Sequence, residues 1–353
     1  MERSSNFELL RIISMFMIVL QHYGENSLYA EHEYYGSYLL FGGGLGVNLF
    51  VLISGYFMVE STFRAKKLLR VWFYVASIYL TISGLCWALF SPENLPEWGL
   101  GAKICELFPI LTGKYWFVST YVLLMLMTPA LNCIIRQLTR DQLLACIASL
   151  FMFGSFTYLL PLHNNLPGPL AHFIMLYLIA GHIRLTPAKG KNDAIKWGTI
   201  SCLIFAFMMA CIYFNSNKDY AHAVKINNLI VADKGAIILF LSIALFKTFE
   251  CIKISHNKFV NACASCTFGV YLIHEHCLIK SKLWQFISEM EHDAKFPNYA
   301  IKALISICGI YIICTLLTWI WKNTYERFYR RFLEKRLVCV LEQSVAYIKR
   351  III

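Results

Sequence analysis

Ten stretches of this chain are long and apolar enough to be read as bilayer crossings, at approximately residues 7 to 24, 39 to 59, 71 to 90, 115 to 135, 143 to 161, 169 to 186, 197 to 214, 229 to 247, 260 to 279 and 299 to 321. A spanning helix needs about 20 mainly apolar residues, because lipid offers no hydrogen-bond partner to a backbone left unpaired. With 58% hydrophobic residues, 15% charged residues and a mean hydropathy of +0.56, no polar block remains that would fold separately. The expected fold is all-α, a polytopic membrane helical bundle of about ten transmembrane helices. One domain is expected over residues 1–325, followed by a basic tail at 326–353. The first segment has no convincing small-residue cleavage site and reads as an uncleaved helix.

The charge pattern orients the bundle. Of 32 Lys and Arg residues, 23 fall in the N-terminus, the C-terminal tail and every second connection, including Arg64, Lys66, Lys67 and Arg70. The opposite connection at 25 to 38 carries Glu25, Glu31 and Glu33 with no Lys or Arg. Basic residues concentrate in cytoplasmic loops, so both termini are expected in the cytoplasm and the protein in the inner or plasma membrane. The net charge of +11 is thereby a topology signal, with the lipid bilayer as the partner and no nucleic acid expected. The 13 Cys residues are scattered through apolar segments, where a thiol behaves as a small hydrophobe. Only Cys263 and Cys266 form a C-x-x-C pair, and without a second pair no metal site is predicted.

Ionisable groups at membrane depth are costly, and each needs a reason. Arg11 and His22 are eleven residues apart on the first helix, which separates them by roughly 16 Å along the axis and about 20° in direction. They share a face, with Arg11 deep toward the cytoplasm. Taken singly, Arg11 reads equally as a snorkelling anchor and His22 as an interfacial residue. The second span runs Gly44-Leu45-Gly46-Val47-Asn48 to Ser54-Gly55-Tyr56, where small residues favour close helix packing. Tyr115-Trp116-Phe117 opens the fourth span in the manner of an interfacial aromatic belt. The ninth carries Val270-Tyr271-Leu272-Ile273-His274-Glu275-His276, and it is no H-E-x-x-H zinc site because its two His lie on different helix faces.

In this order, Glu8-Leu9-Leu10-Arg11 with His22, Gly46-Val47 through Phe50 to Ser54-Gly55-Tyr56, Tyr115-Trp116-Phe117, and Val270 to His274 resemble the membrane-bound acyltransferase family 3 over nearly the whole chain. The resemblance implies an O-acyltransferase, most simply an O-acetyltransferase, with acetyl-CoA or another acyl-CoA as co-substrate and no permanently bound cofactor. The acceptor it implies is a hydroxyl of a cell-surface or lipid-linked carbohydrate. The family's essential Arg and His fall on Arg11 and His22. Its pair of basic residues after the second helix falls on Lys67 and Arg70, although Trp72 and Phe73 stand where the family tends to have proline.

In the mechanism this resemblance implies, Arg11, Lys66, Lys67 and Arg70 hold the donor phosphates and His22 is the general base. Tyr56, Trp116, Tyr271 and His274 are the candidate acceptor or oxyanion contacts, and Glu25, one turn beyond His22, is the candidate to orient the ring. A covalent acyl-imidazole and direct attack both remain open. The rival class is a secondary transporter or glycan flippase, which would share the helical plan, and a receptor-like bundle is third. No segment after the tenth span resembles an added esterase-like domain, so the acceptor is expected to meet the membrane domain itself or a separate protein.

Overall fold

The computed structural model describes residues 4–26, 38–90, 100–159, 168–187, 190–216, 229–291 and 298–328, with residues 336 and 343. Nearly all of the tail expected at 326–353, and Glu31 and Glu33 of the acidic connection, lie outside the described residues. Among those described, all regular structure is helical. In chain order the helices are α1 (Ser5–Asn26), α2 (Phe41–Met58), α3 (Ala65–Leu89), α4 (Leu100–Glu106), α5 (Trp116–Gln137), α6 (Arg140–Phe153), α7 (Pro169–Leu185), α8 (Gly190–Ser216), α9 (Ala236–Cys251), α10 (Lys258–Ala264), α11 (Thr267–His274), α12 (Lys280–Glu291) and α13 (Asn298–Phe328).

Five of these, α2, α3, α5, α8 and α13, are long and apolar enough to cross a membrane by length and composition. α1 has the length, at 22 residues, but Glu8, Arg11, Gln21, His22 and Glu25 dilute its apolar character. α7 is apolar but shorter, at 17 residues. The outer helices turn large apolar side chains outward: Leu203, Phe207 and Phe214 on α8, and Ile305, Ile313 and Leu317 on α13, are all exposed. A water-soluble fold would bury such side chains. A bundle bathed in lipid gains nothing by doing so.

The ninth apolar stretch departs from the expectation. It is not one helix from 260 to 279 but two short ones, α10 and α11, broken at Ser265 and Cys266. Small polar side chains drive the break, because each bonds back onto the turn before it: Ser265 Oγ donates to the Ala262 carbonyl at 2.6 Å and Thr267 Oγ1 to the Ala264 carbonyl at 2.9 Å. The backbone there tightens to three-residue turns, Cys266 N–H to the Cys263 carbonyl at 2.9 Å and Gly269 N–H to the Cys266 carbonyl at 2.9 Å. α11 then ends at His274, so His276 lies beyond the helix.

α2 is the central helix, packed on α1, α7 and α9 and buried along most of its length. Glycine makes this possible. A Cβ on Gly46 would collide with the Ser14 carbonyl oxygen of α1 and come within 2.7 Å of Ile18 Cγ1. A Cβ on Gly44 would sit 2.5 Å from the Cα of Asp233, in the turn that leads into α9. Backbone has therefore replaced side chain on two faces of α2. Polar links add to the packing: Tyr177 of α7 donates to Asn132 Oδ1 of α5 at 2.6 Å, and Asn132 Nδ2 donates to the Met58 carbonyl of α2 at 3.1 Å.

Replacing Gly46 by Leu is expected to destabilise the detergent-solubilised protein by at least about 1–3 kcal/mol, the usual cost of overpacking. Gly309→Ala on α13, where nothing lies within 4 Å of the added carbon, is expected to hold or raise the melting temperature. Thermal melts of both variants, followed by size-exclusion recovery, check the pair.

Candidate active site

His22 lies one turn before the end of α1, at the wall of a partly open cavity of about 370 Å³ lined by α1, α2, α5 and α7, the turn before α9, the end of α11 and the start of α12. Its ring is mostly buried, with 14% of the side chain exposed. Two groups from the other end of the chain meet it. His22 Nδ1 is 2.9 Å from His274 Nε2 and 3.4 Å from Glu275 Oε1. Glu275 is held in turn by Lys280, whose Nζ lies 2.8 Å from Oε2.

Hydrogen-bond logic assigns the protons. A carbonyl only accepts, so His274 Nδ1, 2.6 Å from the Val270 carbonyl oxygen, carries a hydrogen. In the neutral ring His274 Nε2 is then a lone-pair acceptor, and His22 Nδ1 must donate to it. The neutral His22 ring is left with its lone pair on Nε2. That is the tautomer of a ring ready to take a proton.

The same three groups form the cluster among the described residues best placed to hold a cation, with one ligand atom each lying within 4.8 Å of the others. Two nitrogens on a tetrahedral zinc at 2.0–2.1 Å would stand roughly 3.3 Å apart. The observed 2.9 Å is the length of a hydrogen bond.

The remaining cavity wall combines aromatic faces with polar ends. Trp116, Phe117 and Tyr271 supply rings, and Gln21, Glu25 and Asp233 supply amide and carboxylate groups. His172 stands behind them, fully enclosed, with Nε2 2.8 Å from Asn48 Oδ1; Asn48 Nδ2 passes the chain on to Ser242 Oγ at 3.3 Å. Tyr115 fixes α5 against α11, its hydroxyl donating to the Leu272 carbonyl at 2.7 Å.

Arg11 borders a second cavity, of about 270 Å³, into which the break between α10 and α11 opens through Ala264, Ser265 and Thr267. Irregular backbone at membrane depth is tolerated where it lines such a space. Arg11 Nη1 is 2.9 Å from Glu8 Oε1. Phe117 borders both cavities.

The structure thus gathers His22, Trp116 and Tyr271 around one space, with His274 buried behind His22, and sets Arg11 at the next. It does not bring all the sequence candidates together. Glu25 accepts from Gln21 Nε2 at 2.6 Å, and the carboxylate beside His22 is Glu275. Lys66 and Lys67 are exposed at the start of α3 and Arg70 is half-buried there; only their neighbour Val71 lines the Arg11 cavity. Tyr56 is outside both cavities, at the far end of α2, where its hydroxyl donates to Glu250 Oε1 at 3.2 Å and Arg184 Cζ sits 4.6 Å from its ring centre. Arg184 also bonds Glu60 in the exposed turn after α2 and so holds that carboxyl below its usual range.

The model of the family described as an acyltransferase domain, Acyl_transf_3, matches residues 4–320. The chain belongs to this acyltransferase family. No curated protein and no solved structure gives a match. The match spans both cavities, so the membrane acyltransferase carries the His22 pocket and the Arg11 pocket within its family domain. Glu275, Asp233 and His172 were not singled out from sequence. Glu275 had a usable signal, as a carboxylate next to a helix-end His in an apolar run. His172 and Asp233 had the same signal as Arg11 and His22, an ionisable group inside an apolar stretch, although their partners follow only from how α7 and the turn before α9 lean on α2.

Because Tyr56 lies apart from His22, Tyr56→Phe is expected to leave acyl transfer by the acyltransferase within about twofold while costing about 1 kcal/mol of stability for the lost hydrogen bond. Steady-state rates and a thermal melt on the same preparation separate the two effects.

Proposed function

We propose that this protein is an O-acetyltransferase, moving an acetyl group from cytoplasmic acetyl-CoA to a hydroxyl of a cell-surface or lipid-linked carbohydrate. In this reading the bundle has ten crossings with both termini in the cytoplasm, and it works in the inner or plasma membrane. The observation that carries the proposal is the relay Val270 carbonyl, His274, His22, which leaves the lone pair of His22 on Nε2, with the residue at the wall of a partly open cavity. The aromatic faces of Trp116 and Tyr271 suit the apolar face of a sugar ring, and Glu25, Gln21 and Asp233 suit its hydroxyls. Arg11, eleven residues back along α1, stands at the donor side, with Lys66, Lys67 and Arg70 at the cytoplasmic rim as the first contacts for the nucleotide phosphates.

The step balances with this chain's own groups. His22 Nε2 takes the acceptor's hydroxyl proton as the oxygen forms a bond to the thioester carbonyl carbon. The tetrahedral oxyanion collapses, the C–S bond breaks, and the leaving thiolate takes the proton back from His22. While charged, the imidazolium faces Glu275 at 3.4 Å, and Lys280 balances that carboxylate when the ring is neutral. Membership of the family favours this chemistry over the transporter reading, which gives the relay no task.

Purified protein with acetyl-CoA and a glycan acceptor provides the test, with the acylated product read by mass spectrometry. His22→Ala is expected to lower kcat by roughly 10²–10⁴-fold, the usual worth of a general base, with the protein still inserted. His274→Gln retains an acceptor for His22 Nδ1 and is expected to keep more activity than His274→Phe, with the loss in kcat and not in KM. Prior treatment with EDTA is expected to change nothing. Retained turnover in His22→Ala removes the base, and loss of activity with EDTA, restored by a divalent metal, replaces the relay with a metal at His22, His274 and Glu275.

A further inference from the structure

A third cavity, of about 700 Å³, belongs to neither Arg11 nor His22. It is a groove between two helix pairs, with α6 packed on α7 along one side and α8 packed on α9 along the other. Its sides are two apolar stripes. Leu144, Ile147, Ala148 and Phe151 recur at helical spacing along α6, and Leu239, Phe240 and Ile243 face them from α9.

Both stripes end on a basic residue at the same end of the groove. Arg140 lies one turn before Leu144, Lys247 lies one turn after Ile243, and His182 stands between them in the last turn of α7. No acidic side chain is among the lining residues. Trp197 closes the mouth, with Lys247 Nζ 5.0 Å from its ring centre and Lys196 Nζ 5.5 Å from it, as expected of an indole at a membrane surface. From Arg140 to Phe151 the apolar run is about 16 Å long at 1.5 Å per residue. One leaflet contributes about half of a hydrocarbon core roughly 30 Å thick, so the groove has the depth of a single leaflet.

We propose that this groove is a binding site for an anionic phospholipid of the leaflet on the side of the basic connections. Its phosphate rests between Arg140 and Lys247, and an acyl chain lies along the two stripes. The lipid fills the seam between the helix pairs. Charge decides the class of occupant: a rim with two permanent cations and no carboxylate favours a net negative headgroup over a zwitterionic one. The proposal rests on the membrane placement of the bundle and not on the acyl-transfer chemistry, and the experiment reads no activity.

The protein is equilibrated in mild detergent with equal amounts of phosphatidylglycerol and phosphatidylcholine, and bound lipid is counted by native mass spectrometry. The native protein is expected to retain phosphatidylglycerol roughly thirtyfold over phosphatidylcholine, in line with the attraction of two basic residues for an anionic surface. The double variant R140Q/K247Q is expected to bind both lipids equally, and Ala148→Trp, which fills the groove and leaves the rim intact, to lose both. Recovery of a monodisperse peak from size exclusion shows that each variant is folded. Equal retention of the two lipids by the native protein overturns the proposal, as does an unchanged preference in the double variant. Undiminished phosphatidylglycerol on Ala148→Trp also overturns it, since the anion would then be held by the rim alone, a result that competition by inorganic phosphate would reproduce.

Discussion

In a bundle whose outer helices present Leu203, Phe207, Ile305 and Leu317 to their surroundings, a polar group at helix depth has to find its partner inside. The arrangement of this protein follows from that constraint. Asn48, His172 and Ser242 come from three helices and satisfy one another, and Tyr177 with Asn132 does the same between α7 and α5. His22 obeys the rule only in part. Its Nδ1 is satisfied by His274, while the residue itself lines a cavity. A basic nitrogen with an uncommitted lone pair, on a residue that lines a cavity, is where chemistry is expected.

The glycines of α2 determine how that atom is presented. With Ser14 and Ile18 of α1 resting on Gly46, and Asp233 on Gly44, α1 and the lead-in to α9 approach the same helix from two sides. The cavity is the space between them. Larger residues at these two positions would separate the helices and widen the cavity, taking Gln21 and Asp233 away from each other.

Much of this was legible in the residues. The helical class follows from run length and hydropathy, and the shared stripe of Arg11 and His22 follows from helix geometry, which is local. The identity of the carboxylate was not legible. Glu25 is one turn from His22 in sequence, but i and i+3 on a helix share a face without touching the same atom, and Gln21 competes for the Glu25 carboxylate. Glu275 arrives from 253 residues away because α11 stops at His274, an end fixed by tertiary contacts that hydropathy does not report. The break at Ser265 was hidden for a related reason: Ser, Cys and Thr count as nearly neutral or apolar on a hydropathy scale, while their hydroxyls and thiol bond back onto the carbonyls of the preceding turn. Tyr56 shows the opposite case, where a recognisable run set an expectation that the far end of a straight helix could not meet.

The choice of a histidine to orient another histidine has a physical logic of its own. A carboxylate in direct contact with His22 Nδ1 would fix the same tautomer, but it would place an uncompensated charge in the interior whenever the ring is neutral. His274 is neutral when it accepts from His22, and its own Nδ1 proton is donated in a hydrogen bond to a backbone carbonyl, which has no proton to give in return. The negative charge is held slightly farther off, at Glu275, where Lys280 balances it. In the proposed mechanism the base is thereby oriented by a neutral contact and stabilised, once protonated, by a charge that is already paired. Orientation and charge compensation are divided between adjacent residues, and because His274 is the last residue of α11, one helix end delivers both.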